Sequence, residues 1–459
     1  MGVSNPLDNL NKLFKKMKRI LLVTASTIII AHTALATEVI VSKAAEVVSN
    51  KKPVISDLEV KLTGYADFQA GLRHQNHLEG DEKNVSANRQ NFAFYNASAL
   101  VANISNEVNG VTYGGKFIAV PTSKRKGSPS YNGTNIYVES NFGRLEAGSP
   151  FSAAGTMAVD GSTIAVGTFD GWSDYANMAP AYLKKEGSKE DPSFTAFPEF
   201  FLDSKLTANL DDKKYTSEPP RSVAYYTPKF ELAEFTKVQL GVSYTPDSTN
   251  TGADSANAKA VTTDVIVDKA TGEYFAFDYN VKDAVTAGIT LEQNFADGVD
   301  LQLALTGEYG TAAGGVKKYA TKEDENPVKL KLSNLRTYNI GAILNVGNFS
   351  YAAGFGSLTN SLTNPEFHQN GRKTSYYTGS LAYKQGPFAT SLSYFKSDRF
   401  KNTVDSVSIG THYLMAPGFK PYAEITGFSL KGKPNFGATE LDKKTTRGTV
   451  ALIGAKLSL

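Results

Sequence analysis

The chain of 459 residues is 41% hydrophobic with a formal net charge of +3, a balance that fits two or three soluble domains or one large barrel. It has no cysteine, so disulfides, zinc-thiolate sites and cysteine nucleophiles are excluded. Tyr (23) and Phe (26) are abundant against a single Trp and 18 Pro, which suits β-structure rich in interfacial aromatics and not a disordered chain.

Residues 1–36 read as a secretory signal. Lys15, Lys16, Lys18 and Arg19 precede the apolar run Ile20 to Ile30, and Ala34-Leu35-Ala36 offers small residues for cleavage. The run is too short to span ~30 Å of hydrocarbon comfortably as a helix. Five basic residues and one Asp leave with the signal, which turns +3 into −1. The basicity belongs to the signal and argues nothing about nucleic acid. No later segment has the ~18 consecutive apolar residues of a membrane helix. Residues 37–57 form a short lead with Pro53, and 58–459 form one repeat-like region.

From Leu58 onward strands follow one another. Val60 to Phe68 is the first, and a polar loop with His74 and His77 follows it. The second, from about Asn91 to Ile104, turns at Asn106-Glu107-Val108-Asn109-Gly110 into the third, Val111 to Val120. A loop with Lys124-Arg125-Lys126 leads to the fourth, Asn135 to Ser140, and Asn141-Phe142-Gly143 turns into the fifth, Arg144 to Ala147. A long irregular stretch, Gly148 to Pro220, precedes Ser222 to Thr227 and Lys237 to Thr245. After a loop of Asp, Ser, Thr and Asn comes the hairpin Asp283 to Tyr309. There Val285, Ala287, Ile289 and Leu291 alternate with polar residues, as do Val299, Leu301, Leu303 and Leu305. Three more hairpins follow, Thr337 to Leu358, Thr374 to Ser397 and Thr403 to Leu430, and then a last strand, Thr449 to Leu459.

This gives about sixteen strands. Their connections are tight after even strands and long and polar after odd ones, the asymmetry of a transmembrane antiparallel β-barrel. The last strand, with Ala451, Ile453, Ala455, Leu457 and Leu459 on one face, would be an exposed apolar edge in a soluble sheet. In a barrel it closes on the first strand and leaves no unpaired backbone in lipid. The aliphatic face of the 283–309 hairpin then meets lipid, and Glu292, Asp300 and Gln302 line water. A secreted soluble all-β protein is the competing reading.

Several stretches resemble the general porins of Gram-negative bacteria, the sixteen-stranded trimeric kind. Arg221-Ser222-Val223-Ala224-Tyr225-Tyr226-Thr227-Pro228-Lys229-Phe230 leading to Gly241-Val242-Ser243-Tyr244-Thr245-Pro246-Asp247 carries most of the resemblance. Leu62 to Tyr65, Val138 to Leu145, and Ala416-Pro417-Gly418-Phe419 with Tyr422-Ala423-Glu424 support it. The chain ends on Leu459 where such barrels carry an aromatic residue. The resemblance implies a homotrimeric outer-membrane channel for passive diffusion of small hydrophilic solutes and ions, without a cofactor and in contact with lipid and lipopolysaccharide. It also implies that the loop after the fifth strand folds inward and narrows the pore. A surface barrel acting as an adhesin or host-contact protein through its outer loops is the alternative.

A sixteen-stranded barrel leaves an aqueous channel, so an inserted segment must set its cutoff. The stretch from Gly148 to about Pro180 carries Asp160, Asp170 and Asp174, which facing wall cations would turn into a transverse field. By alternation Lys61, Lys116, Arg144, Lys237 and Lys456 lie on the polar face, with Arg73 and Arg221 near strand ends. Trp172 plugs the lumen, anchors the loop to the wall, or packs inside the loop. Of the histidines, His74, His77 and His368 fall in loops and His412 on the polar face of the fourteenth strand. No Ser/His pair, Gly-x-Ser-x-Gly elbow, phosphate loop or third ligand beside His74 and His77 is readable, so the chain is not expected to be an enzyme or to bind a metal.

Overall fold

The computed structural model describes residues 58–76, 91–120, 130–176, 200–204, 206, 219–250, 264–267, 274–296, 298–319, 327–365, 371–432 and 444–459. The expected export signal, the 37–57 lead, Lys124-Arg125-Lys126, His77 and His368 lie outside them. In chain order the first half supplies β1 (Glu59–Gln75), β2 (Phe92–Val108), β3 (Val111–Val120), β4 (Ser130–Ser140), β5 (Gly143–Gly148), α1 (Ala153–Met157), α2 (Gly161–Ile164), β6 (Ser222–Tyr226), β7 (Phe230–Ala233), β8 (Thr236–Asp247), β9 (Asp264–Val267) and β10 (Tyr274–Asp278). The second half supplies β11 (Val281–Ala296), β12 (Val299–Ala312), β13 (Gly315–Tyr319), β14 (Val328–Lys331), β15 (Leu335–Val346), β16 (Phe349–Thr359), β17 (Thr374–Gln385), β18 (Phe388–Arg399), β19 (Asn402–Tyr413), β20 (Phe419–Gly432) and β21 (Lys444–Ser458).

Sixteen of these strands pair antiparallel in one ring, β1 through β6, then β8, β11, β12 and β15 through β21. β21 closes the ring on β1, from Tyr65 opposite Ser458 to Gln75 opposite Gly448. The strand that ends the chain is therefore paired on both sides, and the barrel has no edge. β7 continues the line of β6 along the same edge of β8, toward the short turn into β8.

The alternation places polarity as the sequence pattern required. On the outer face Ile409 is 58% and Ile453 67% exposed, whereas Thr286, Asn339 and Thr426 on the inner face are fully covered. Apolar outside and polar inside is stable only where lipid replaces water around the wall. In the 283–309 hairpin, Val285, Ile289, Leu303 and Leu305 are exposed on the outer face while Thr286, Thr290, Thr306 and Glu308 are buried on the inner one. Among the described residues no helix is long and apolar enough to cross a membrane. The fold is a closed transmembrane β-barrel.

Two expectations need correction. The rule that a long connection follows every odd strand fails between β18 and β19, the thirteenth and fourteenth of the ring. Phe400 and Lys401 join them directly, both at positive φ (55° and 69°). That pair matches the twist of the flanking strands, so a tight turn serves there as well as at the other end. Second, the stretches read as plain loops around the 283–309 hairpin contain strands. β9, β10, β13 and β14 form a separate four-stranded sheet in the order β14-β13-β10-β9 at the long-loop end. Their short runs were masked in the sequence by the surrounding Asp, Asn and Gly.

Candidate functional site: a loop folded against the inner wall

β5 ends at Gly148, whose φ of 124° favours glycine and lets the chain turn into the barrel. Ser152 then caps α1, its Oγ accepting from the Gly155 amide at 3.0 Å. The first amides of α1 donate to the wall: Ala153 to Ser243 Oγ at 3.1 Å on β8, and Ala154 to Thr286 Oγ1 at 3.1 Å on β11. Asp160 caps α2, accepting from the Ser162 amide at 2.7 Å and its hydroxyl at 2.5 Å. The Gly161 amide donates to Thr378 Oγ1 on β17 at 2.9 Å, and that of Val166 to Ser391 Oγ on β18 at 2.7 Å.

On β20 a single carboxylate gathers the next turn. Glu424 Oε2 accepts from the Thr168 amide at 2.6 Å, the Thr168 hydroxyl at 3.0 Å and the Phe169 amide at 3.1 Å. Its Oε1 accepts from Thr426 Oγ1 at 3.0 Å, and the side chain is 1% exposed. Trp172, in a 3-10 turn over Gly171–Asp174, stacks on Phe428 at 4.7 Å. It is buried with Tyr175, Tyr376, Phe395, Leu430, Val450 and Leu452. Trp172 is thus an anchor of the loop to the wall, and the apolar core of the molecule lies inside the barrel under it. Arg73 of β1 donates to the Tyr175 carbonyl at 3.2 Å. Burial first, then Asp174 and Asp67, pushes the Tyr175 phenol up to about 12, so it stays neutral.

The loop therefore follows the wall from β8 round to β1, and small residues line its track. A Cβ on Gly341 would come within 1.7 Å of the Val159 carbonyl oxygen, and one on Gly410 within 1.9 Å of that of Val166. On Gly354 it would meet Asp160 Cβ at 2.4 Å, and on Gly241 and Gly288 Met157 Sδ at 2.4 and 2.9 Å. Side chains on this belt would push the loop into the lumen. The returning segment packs beside it, with Ser397 Oγ donating to the Phe201 carbonyl at 2.5 Å and Phe201 stacked on Tyr376.

Most of the anticipated wall cations share this inner face. Lys61, Lys116, Arg144 and Lys456 are on the inner face of β1, β3, β5 and β21. Lys61 and Lys116 both lie in register with Asn103, so their backbones are about 10 Å apart across β2. Lys116 lies over the Phe151 ring at 5.3 Å, and Lys456 over Tyr65 at 4.7 Å. Arg144 pairs with Glu139 at 2.9 Å and Glu146 at 2.6 Å, and lies 3.8 Å over Tyr137. Lys237 is apart from these, at the short-turn end of β8 opposite Glu292. Glu292 itself binds Lys229 at 2.7 Å, faces Gln302 across the hairpin, and Asp300 is exposed beside the turn.

The three loop carboxylates differ. Asp160 is 4% exposed and committed to its cap; Asp170 is half-buried and Asp174 exposed. Sequence reading missed Glu424, Phe428 and the glycine belt as parts of the site. Alternation did put Glu424 on the inner face, but only the fold shows which inner residues the loop touches.

The Gram-negative porin family matches residues 23–433. An uncharacterized protein of Rickettsia felis is 41% identical over 459 residues, covering 96% of this chain and 100% of the relative. One of Rickettsia bellii is 41% identical over 425 residues, covering 88% and 94%. Among solved structures, an anion-selective porin from Comamonas acidovorans superposes with a TM-score of 0.50 at 13% identity, over 88% of this chain and all of that one. With the match over most of its length, a closed barrel of sixteen strands and a loop folded inside it, this chain belongs to the Gram-negative porins.

Proposed function

We propose that the protein is an outer-membrane channel for passive diffusion of small hydrophilic solutes and ions, narrowed by the segment that follows Gly148. The observation that carries this reading is the loop itself, tied by hydrogen bonds to Ser243, Thr286, Thr378, Ser391 and Glu424 along the inner wall. A segment so attached takes up part of the lumen and narrows it. Asp170 and Asp174 on the loop, against Lys61, Lys116, Arg144 and Lys456, would set a transverse field across the passage. The proposal includes export by residues 1–36, assembly as a homotrimer, and an outer wall in lipid and lipopolysaccharide. The short turns then face the periplasm. No reaction, cofactor or metal is assigned to it.

Planar-bilayer recording of the refolded full chain tests this. Stepwise conductance increments are expected, and their absence would defeat the channel reading. The second reading, a surface barrel used for adhesion or host contact, draws on the separate sheet of β9, β10, β13 and β14 at the long-loop end. Binding of the folded barrel to host cells without conductance would favour it.

A further inference from the structure

The separate sheet at the long-loop end carries a basic face. Register places Lys317 of β13 directly opposite Lys329 of β14, and Lys331 is two residues further along β14 on the same side. All three are exposed, whereas Val316, opposite Leu330 on the other side of the sheet, is fully buried. Neighbouring members of the three have backbones about 5–7 Å apart, across one strand spacing or along two residues. Tyr319, two residues past Lys317, shares the basic face. The sheet is tied to the barrel at its base. The Ala313 and Gly314 amides donate to the Asn280 carbonyl at 2.9 and 3.2 Å, and Asn364 Nδ2 donates to the Lys331 carbonyl at 2.8 Å.

This basicity is local, because the chain beyond residues 1–36 sums to −1. Lysines on an edge strand such as β14 guard it against pairing with another chain, which accounts for Lys329 and Lys331. Edge protection does not account for Lys317. It lies on an interior strand directly opposite Lys329, where like charges are destabilising and a bound anion would offset the cost. Among the described residues none of the three makes an ion pair. Asp278 shares their face two strands from Lys331, and its carboxylate accepts from the Asn280 amide at 3.0 Å. Basic side chains continue past the foot of β14. Thr363, the neighbour of Asn364, accepts from Arg372 Nε at 3.1 Å, and Arg372, Lys373, Lys401 and Asp398 line a cleft of about 900 Å³. There Asp398 accepts from the Lys401 backbone amide at 3.0 Å.

We infer that Lys317, Lys329 and Lys331, with Tyr319 beside them, form a docking face for an anionic polysaccharide on the outside of the cell, and that the cleft at Arg372 extends it. Such a chain repeats its charge along a flexible backbone that can lie across a flat sheet, so several Lys engage it at once. Its sugar rings offer C–H faces to the Tyr319 ring and hydroxyls to the phenol. The inference rests on the short turns facing the periplasm and does not depend on conductance. It gives the surface reading of the separate sheet a partner of defined chemistry.

The test is binding of the refolded full chain, in non-ionic detergent, to immobilised heparin, a sulfated polysaccharide. Retention that weakens as salt rises is expected, with none on neutral dextran. Each exposed charge contact is worth about a factor of two to five in water, so the Lys317→Gln/Lys329→Gln/Lys331→Gln variant should bind roughly tenfold to a hundredfold more weakly. Lys384→Gln, at the short-turn end, should bind as the wild type does. Should the triple variant not fold, Lys329→Gln alone decides, with a loss of about twofold to fivefold expected. A wild type that ignores heparin, or variants that bind it unchanged, overturns the docking face. Tighter binding to single-stranded DNA of matched charge would overturn the polysaccharide assignment in favour of nucleic acid. Planar-bilayer recording of the same preparation keeps the readings apart. Heparin binding without conductance steps refutes the channel and leaves the docking face standing, and conductance without heparin binding does the reverse.

Discussion

Glu424→Ala is the sharpest test of how the loop is held. The substitution removes an acceptor shared by two loop amides and one hydroxyl, at 2.6, 3.1 and 3.0 Å. Hydrogen bonds to a charged group contribute about 1.5–3 kcal/mol each. The three share one oxygen, and lumen water reaches the donors once they lift from the wall. The expected loss is therefore nearer two bonds than three, about 3–4 kcal/mol. At about 1.4 kcal/mol per factor of ten, the seated-to-released ratio of the Thr168–Phe169 turn falls by about a hundredfold or more. The barrel keeps every ladder hydrogen bond, so the variant should retain the heat-modifiable gel migration of a folded wall. Single-channel recording should show larger open-channel noise and a broader conductance distribution. Glu424→Gln, which keeps an acceptor oxygen and loses the charge, should fall between. A folded Glu424→Ala variant whose conductance and noise superimpose on the wild type would refute the assignment of Glu424 as the loop's tether.

Trp172→Ala empties the pocket on Phe428 and should cost the loop about 3–5 kcal/mol of anchoring, read as faster proteolysis of the intact barrel near residue 172. Gly410→Val and Gly341→Val, whose Cβ atoms would overlap the Val166 and Val159 carbonyls, should displace the loop and alter conductance. Gly427→Val, with nothing within 4 Å of the added Cβ, is the matched control and should not. Asp170→Asn with Asp174→Asn should move the reversal potential in a salt gradient toward anions. Asp160→Asn removes the charge of a helix cap, and Asp160→Ala should cost about 1 kcal/mol of local stability with little change of selectivity.

The wall was legible because period-2 alternation is a local property. Val285, Ile289, Leu303 and Leu305 sort from Thr286, Thr290 and Thr306 along a single hairpin, and that sorting needs no knowledge of its neighbours. The same alternation placed Lys61, Lys116, Arg144 and Lys456 on the water side. The turn at Phe400-Lys401 escaped because a connection of two residues carries no long polar run. The separate four-stranded sheet escaped because its strands of four or five residues are too short to display a period.

The loop is where local reasoning stopped. From Gly148 to Pro180 the chain has no period, and its glycines and aspartates fit a solvated loop as well as an inserted one. What decides its path is complementarity between residues about 90 to 260 positions apart: the Ala153 amide with Ser243, Thr168 with Glu424, the Val166 carbonyl with the bare face of Gly410. Each of these partners had a known face and an unknown occupant. The sequence by itself determined the barrel, because pleating and the lipid–water boundary act residue by residue. Only the tertiary structure decided that Asp160 caps a helix, that Trp172 is an anchor and that Glu424 holds the loop, because those roles exist only once the ring has closed around it.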